Sequence, residues 1–112
     1  MTKRINVYIA GPITGIDGFE ENFHAAASLL ERNGYAPVDP TTPGQIEGYT
    51  YKNYIDRGLA MLQGCDAICM LPGSDASTGA LLEKCYALAV GLDIYRVSDD
   101  YTRVIYEDPA YA

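Results

Sequence analysis

Several residue types are scarce in this chain, and each scarcity argues against a class of protein. The 112 residues include no tryptophan and one histidine, His24. No window approaches the ~20 apolar residues that a membrane-spanning helix needs, and the apolar run near the N-terminus is too short for a secretion signal. The sequence therefore predicts a protein that stays in the cytoplasm and has no membrane partner.

Cysteine and histidine are too few, and too scattered, to predict a disulfide framework or a metal site. Cys65, Cys69 and Cys85 lie in apolar segments, and none of them forms a Cys-x-x-Cys pair. An odd number of cysteines in such segments favours reduced thiols in the core. A structural zinc site needs a cluster of Cys or His ligands. We therefore expect neither a disulfide nor a bound metal.

Basic residues are scarce as well, and this limits the kind of ligand. Eight Lys and Arg residues stand against 15 Asp and Glu residues, which gives a formal net charge of -7. Proteins that follow a nucleic-acid backbone need a basic surface patch. The apolar content of 48% is that of an ordinary globular domain. We expect a single domain that binds a small molecule rather than a nucleic-acid polymer.

Apolar runs and turn residues alternate along the chain in the manner of an α/β fold. Gly34 and Gly91 end the first and third helical windows, Thr50 and Ser77 are suited to begin the second and third, and Asp17 with Glu20 is a possible capping box at the start of the first. The predicted strands are residues 5–10, 35–38, 66–71 and 93–97, and the predicted helices are residues 19–33, 51–63 and 79–90.

This alternation predicts a doubly wound parallel sheet with strand order 2-1-3-4 and helices on both faces. In that order the direction of winding reverses between strands one and three. Ligands of open α/β sheets bind beyond the carboxyl ends of the strands at such a reversal. The loops at residues 11–18 and 72–78 follow these two strands. They are therefore expected to border one ligand-binding crevice.

A single carboxylate, Glu83, stands out in the otherwise apolar helix after the second of these loops. Side chains lean toward the N-terminus of a helix, so Glu83 should lie over Gly79 and Ala80, which are too small to block it. The free N–H groups behind Ser77 would favour an oxygen-rich ligand group nearby. Alternatively, Glu83 and Lys84 mark only the solvated edge of a packed helix.

The segments VYIAGPITG and MLQGCDAICMLPGSDASTGALLE resemble the nucleoside 2-deoxyribosyltransferase superfamily. The resemblance covers residues 5–97, and it is nearest to short relatives that include 2'-deoxynucleoside 5'-phosphate N-hydrolases. It implies a Rossmann-like or flavodoxin-like domain over residues 1–97. Residues 98–112 would then form an acidic, tyrosine-rich tail that packs at a subunit interface.

The resemblance also implies an activity and a set of site residues. The activity is cleavage or transfer at the N-glycosidic bond of a nucleoside or its 5'-monophosphate, without a cofactor and in a homodimer. Glu83 would be the nucleophile that forms a covalent glycosyl ester. The substrate-binding residues that the resemblance implies are Tyr8, Gly11, Ile13, Ser77 and Gly79. Thr14 and Gly15 of the first loop are added to this set because the loop should approach the ligand.

Two positions depart from the pattern of the short relatives. Gly58 stands where those relatives commonly carry an aspartate, and Thr14 stands where the nucleotide hydrolases carry an arginine. For the second catalytic carboxylate we favour Asp56, with Asp75 and Asp39 as alternatives whose ordinary role is in a turn or a cap.

These departures keep a second function open. On the same fold, a chain without its second carboxylate could bind or sense nucleosides or nucleotides without catalysis. A flavodoxin-like or receiver-like domain is a weaker hypothesis, because the first strand lacks an acidic pair for a metal and neither loop has a clear flavin-phosphate pattern.

Overall fold

The computed structural model describes residues 4–108, which form one sheet and three helices. The sheet consists of β1 (Asn6–Ala10), β2 (Ala36–Val38), β3 (Ala67–Met70), β4 (Asp93–Val97) and β5 (Val104–Glu107). The helices are α1 (Phe19–Arg32), α2 (Tyr51–Gln63) and α3 (Thr78–Val90). Residues 109–112 of the predicted tail lie outside the described residues.

The strand order is β2-β1-β3-β4-β5, so the predicted order 2-1-3-4 is confirmed and extended by one edge strand. The first four strands are parallel, with Val7 of β1 opposite Ala67 of β3. The added strand β5 runs antiparallel to β4, with Val104 opposite Val97. The predicted reversal of winding between β1 and β3 is therefore present.

Helix ends follow four of the five predicted signals, and one of the four is Gly34, which follows α1 with a φ of 89°. The Ser77 hydroxyl accepts a hydrogen bond from the Ala80 N–H at 3.2 Å, and Thr50 forms a reciprocal capping box with Asn53. Gly91 ends α3 with a φ of 80°, which a residue with a Cβ rarely adopts. The capping box predicted for Asp17 and Glu20 is wrong, since Gly18 is the N-cap of α1 and has no side chain to accept a bond.

The two faces of the sheet bury different halves of the core, because successive strand residues point to opposite faces. Val7 and Ile9 of β1 pack with Phe23 and other residues of α1 on one face. Tyr8 packs on the other face with Ala80 of α3 and with residues of α2. The alternation of β1 thus delivers the Tyr8 side chain to the side of the sheet that holds α2 and α3.

All three cysteines are free thiols. Cys65 and Cys69 are buried as predicted, but Cys85 is exposed, because it lies on the outer face of α3. Within residues 4–108, none of the helices is both long and apolar enough to cross a membrane.

Candidate active site

A cavity of about 450 Å³ lies beyond the carboxyl ends of β1 and β3, where the winding reverses. Its volume falls within the roughly 300 to 1,000 Å³ that is usual for small-molecule sites. The cavity is lined by seven of the residues selected from the sequence, namely Tyr8, Gly11, Ile13, Thr14, Ser77, Gly79 and Glu83. The topology therefore brings both predicted loops and the helix carboxylate to one site.

Glu83 lies in the second turn of α3 with only 9% of its surface exposed. The Tyr8 hydroxyl donates a hydrogen bond of 2.5 Å to its Oε2 atom. Burial raises the pKa of Glu83 to about 7, although the hydrogen bond from Tyr8 acts in the opposite direction. Glu83 is therefore a buried, oriented carboxylate that changes charge near neutral pH, and the solvated helix edge considered from the sequence does not describe it.

Tyr8 itself is held in its protonated form. Burial and the negative charge of Glu83 both raise the pKa of the Tyr8 phenol far above its ordinary range. The tyrosine is consequently a fixed hydrogen-bond donor whose proton points at the carboxylate. This hydrogen bond links strand β1 to helix α3 across 75 residues of sequence.

Gly58 of α2 leaves space for the Tyr8 hydroxyl and the Glu83 carboxylate beside that helix. A Cβ atom at position 58 would lie 2.7 Å from Glu83 Oε2 and 2.7 Å from the Tyr8 hydroxyl oxygen. Real side chains do not approach so closely, and a glycine in a helix interior costs about 1 kcal/mol relative to alanine. The glycine that looks out of place in the sequence therefore leaves the room that the Tyr8 and Glu83 pair occupies.

The favoured second carboxylate, Asp56, lies away from this pair. Asp56 is exposed, and its Oδ2 atom accepts a hydrogen bond of 2.6 Å from Lys52 one turn earlier on α2. Its side chain does not line the cavity, because two residues along a helix turn it well away from the face that carries Gly58.

The two alternative aspartates are also outside the cavity lining. Asp39 accepts hydrogen bonds from the N–H and the hydroxyl of Thr41, and its other oxygen lies 3.5 Å from His24 Nε2. Asp75 borders a separate, smaller depression beside Arg96. Among residues 4–108, the carboxylates that line the large cavity are Glu83 and Glu20.

The three predicted glycines have different roles. A Cβ atom at Gly11 would lie 2.8 Å from Leu71 Cδ1, so this glycine lets the loop after β1 approach the end of β3. Gly15 is not part of the cavity lining, and its φ of 77° places it in a turn. Gly79, by contrast, does line the cavity, and a Cβ atom there would lie 3.2 Å from Ile55 Cδ1 and 3.6 Å from the Tyr51 hydroxyl oxygen.

The sequence reasoning placed Asp56 and Gly58 of α2 at the site, but it missed the rest of the α2 wall and the loop before this helix. The Arg57 guanidinium donates to the carbonyl oxygens of Pro40 and Thr42 at 2.9 and 2.8 Å, and the Ile46 N–H donates to the Tyr54 hydroxyl at 2.7 Å. These bonds fasten the loop at residues 39–48 over the cavity, whereas its composition suggests mobility.

A signal for the α2 wall is present in the sequence. Tyr51, Tyr54, Ile55 and Gly58 are spaced at i, i+3, i+4 and i+7, so they share one helix face, and all four line the cavity. From the sequence alone, such apolar spacing indicates a helix face that packs in the core. The structure shows that this face of α2 also lines the cavity.

Two solved structures share the fold. A 2-deoxyribosyltransferase from Leishmania mexicana superposes with a TM-score of 0.63 and 23% identity over 83% of this chain. One from the psychrotolerant bacterium Bacillus psychrosaccharolyticus, described as a biocatalyst for nucleoside synthesis, has a TM-score of 0.63 and 16% identity over 82% of this chain. The resemblance seen in the sequence is thus confirmed, and at this identity it establishes the fold.

This chain spans 63% of the length of the Leishmania protein and 71% of the length of the Bacillus protein. No curated protein sequence matches it. The sequence profile of DUF4406, which is described as a domain of unknown function, matches residues 5–96. Since this match includes β1, β3, α3 and the residues of the cavity that they carry, the chain belongs to the DUF4406 family.

Proposed function

We propose that the protein cleaves or transfers the N-glycosidic bond of a nucleoside, or of a nucleoside 5'-monophosphate, with Glu83 as the nucleophile. The observation that carries this proposal is the buried Glu83 carboxylate, hydrogen-bonded by Tyr8, in the wall of a cavity of about 450 Å³. The 2-deoxyribosyltransferase fold supports the same class of chemistry.

In the first step of this reaction, an oxygen of Glu83 attacks the anomeric carbon as the bond to the base breaks. A carboxylate can capture an oxocarbenium-like centre as a glycosyl ester. Water then resolves the ester in a hydrolase, and a second base resolves it in a transferase. Because the anomeric carbon is attacked twice, the product retains the configuration of the substrate.

Tyr8 and the start of α3 supply the positioning. The Tyr8 hydroxyl binds Oε2 of Glu83, so that oxygen is held in place while Oε1 is left to attack. Gly79 and the cavity-lining Ser77 stand at the N-terminus of α3, where free N–H groups suit a sugar hydroxyl or a phosphate oxygen. Ile13 and Thr14 border the opposite loop, and we assign them to the sugar and base wall.

We further propose that two copies of the chain associate through α3. This helix is apolar nearly all round, yet it buries only one face in its own subunit. Its large exposed side chains are Leu81, Leu82, Leu88 and Val90. An exposed apolar stripe of this kind is typical of a subunit interface. The predicted tail, whose residues 104–107 form β5, is proposed to border the same interface, since Glu107 lies 3.9 Å from Lys84 of α3. The free thiols support the cytoplasm as the location.

The test is an HPLC assay of free-base release from a panel of nucleosides and their 5'-monophosphates, with the wild type beside Glu83→Gln. Glutamine keeps the shape of the side chain and an acceptor for Tyr8 but cannot form the ester. Release that is lost in the variant supports the proposal. Equal release by both proteins would assign any cleavage to other groups.

Gly58 favours a second function, a nucleoside-binding or nucleotide-binding module without catalysis. The position that faces Glu83 from α2 has no side chain, and Asp56 lies outside the cavity. This alternative predicts no base release from any compound, together with thermal stabilisation of both wild type and Glu83→Gln by the same ligand.

A further inference from the structure

The cavity has a nucleophile, Glu83, but the α2 residue that faces it, Gly58, has no side chain that could act as an acid. When an uncharged base leaves the anomeric carbon, the electron pair of the broken bond stays on the nitrogen of the base. The departure of such a base therefore needs a proton from a nearby donor. Among residues 4–108, the other carboxylate in the lining is Glu20, which is exposed and belongs to α1. Helix α1 packs on the sheet face opposite to the one that holds Tyr8 and α3.

Two polar groups of the cavity, Tyr8 and Arg57, are poorly suited as proton donors for this step. The Tyr8 proton is committed to Glu83, and burial raises the pKa of the phenol so far that it donates a proton with difficulty. Two nitrogens of the Arg57 guanidinium donate hydrogen bonds to the backbone carbonyls of Pro40 and Thr42. His24 does not line the cavity and lies beside Asp39.

We propose that the preferred substrates are nucleosides or nucleotides whose base carries a fixed positive charge, such as N7-alkylated purines or N-glycosylated pyridinium rings. This inference rests on the proposed function, because it takes Glu83 as the nucleophile. Such bases leave as neutral molecules without being protonated. A site that has a well-held nucleophile, with a glycine facing it from α2, is suited to them.

The reaction balances without an acid. An oxygen of Glu83 forms a bond to the anomeric carbon, and the bond from that carbon to the base nitrogen breaks. Its electron pair stays on the nitrogen and cancels the positive charge, so the base departs neutral. Water then adds to the anomeric carbon, the ester bond to Glu83 breaks, and one proton passes to the solvent. The products are the free sugar, the neutral base and the regenerated carboxylate.

The lining of the cavity also suits a cationic ring. When Glu83 is ionised, the charged side chains of the lining are Glu83, Glu20 and Arg57, so negative charge is in excess. Tyr51 and Tyr54 add aromatic faces from α2, and such faces attract cations. A positive charge near Glu83 would in turn favour its ionised, nucleophilic form.

Matched substrate pairs test the inference. Base release is measured by HPLC for guanosine and N7-methylguanosine, for their 2'-deoxy forms and for all four 5'-monophosphates. Methylation at N7 fixes a positive charge on the same base and sugar. Spontaneous base loss is measured in parallel with Glu83→Gln and subtracted. We expect kcat/KM for the methylated member of a cleaved pair to be at least about 100-fold higher, since general acid catalysis contributes about 10² to 10⁴ where it is present.

The outcomes separate this inference from the proposed function. Cleavage of neutral and methylated members with similar kcat/KM, lost in Glu83→Gln, overturns the inference and leaves the proposed function intact. A Glu20→Gln variant that loses only cleavage of neutral members would overturn the inference too, because it would identify Glu20 as the acid. Release from no compound at all overturns both. Selective, Glu83-dependent release from the methylated members is the result that supports it.

Discussion

Replacing Glu83 by glutamine should stabilise the fold, and by an amount that depends on pH. Burial raises the pKa of Glu83 to about 7 from its usual 4.5, so the folded state binds a proton more tightly than the unfolded state does. A raised carboxyl pKa gives stability that is complete below about pH 4.5 and is lost as the pH rises to about 7. Glutamine has no charge to bury and loses nothing over this range.

The size of the effect follows from the two pKa values. Between 4.5 and about 7 lie ~2.5 pH units, and each corresponds to about 1.36 kcal/mol, which gives roughly 3 kcal/mol. For a domain of this size 1 kcal/mol moves the melting temperature by about 4 °C, so the predicted change is on the order of 10 °C. Above about pH 8 the loss is complete, and the difference between the two proteins should no longer change.

The assay is urea unfolding of wild type and Glu83→Gln at pH values from 4 to 8.5, followed by circular dichroism. The quantity of interest is the difference between their free energies of unfolding, because other titrating groups contribute equally to both proteins. Glu47→Gln is the matched control, since Glu47 is exposed in the loop before α2. Its difference from wild type should stay within about 0.5 kcal/mol throughout.

Parallel stability curves for wild type and Glu83→Gln would refute the reasoning. They would mean that Glu83 has the same pKa in the folded and unfolded states, and therefore that it is solvated in the native protein. A difference that grows toward low pH would be contrary in sign, and it would mean that a positive charge holds Glu83 ionised.

Three further predictions follow from the same contacts. In base-release assays kcat/KM should rise with pH and level off above about pH 7, because the ionised Glu83 is the attacking form. In wild type the hydrogen bond from Tyr8 lowers the pKa of Glu83, so Tyr8→Phe should raise that pKa and move the rise in kcat/KM to higher pH. An unmoved profile would contradict the pairing. Gly58→Ala should abolish base release and lower the free energy of unfolding by up to about 2 kcal/mol despite the better helix propensity of alanine, because its Cβ would lie 2.7 Å from Glu83 Oε2. Gly64→Ala, where a Cβ would make an ordinary contact at 3.6 Å, is its control, and equal stability of the two variants in urea would be contrary. Leu82→Arg should convert a dimer into a monomer in sedimentation experiments by placing a charge on the exposed face of α3, and an unchanged sedimentation coefficient would rule out this interface.

The elements of the central fold are predictable because their ends carry local signals. Thr50, Ser77 and Gly91 act at helix ends through bonds or backbone angles that depend on one residue and its near neighbours. The apolar runs of β1 and β3 are buried between helices on both faces, as expected for parallel strands. The strand order then follows from the handedness of the connections, and it places the cavity correctly.

Features that depend on distant contacts cannot be predicted in this way. Strand β5 has no fully buried residue and is fixed by its pairing with β4, which local sequence does not specify. Gly58 has a reason only when Tyr8 and Glu83 are beside it, and Arg57 has one only when the loop carbonyls are in place. For the same reason Asp56 is favoured from its proximity in sequence to position 58, although the helix turns it toward solvent and Lys52.

The most direct measurement is to look for the sugar on Glu83. A 2'-fluorinated nucleoside, with either a neutral or an N7-methylated base, slows breakdown of a glycosyl ester because fluorine disfavours the oxocarbenium-like transition state. After an acid quench, trypsin should release Glu83 in the peptide of residues 58–84, which ends at Lys84. The account predicts that this peptide gains the mass of the fluorinated sugar and that fragmentation places it on Glu83. Base release with Glu83 unlabelled, or with the sugar on another residue, would contradict it.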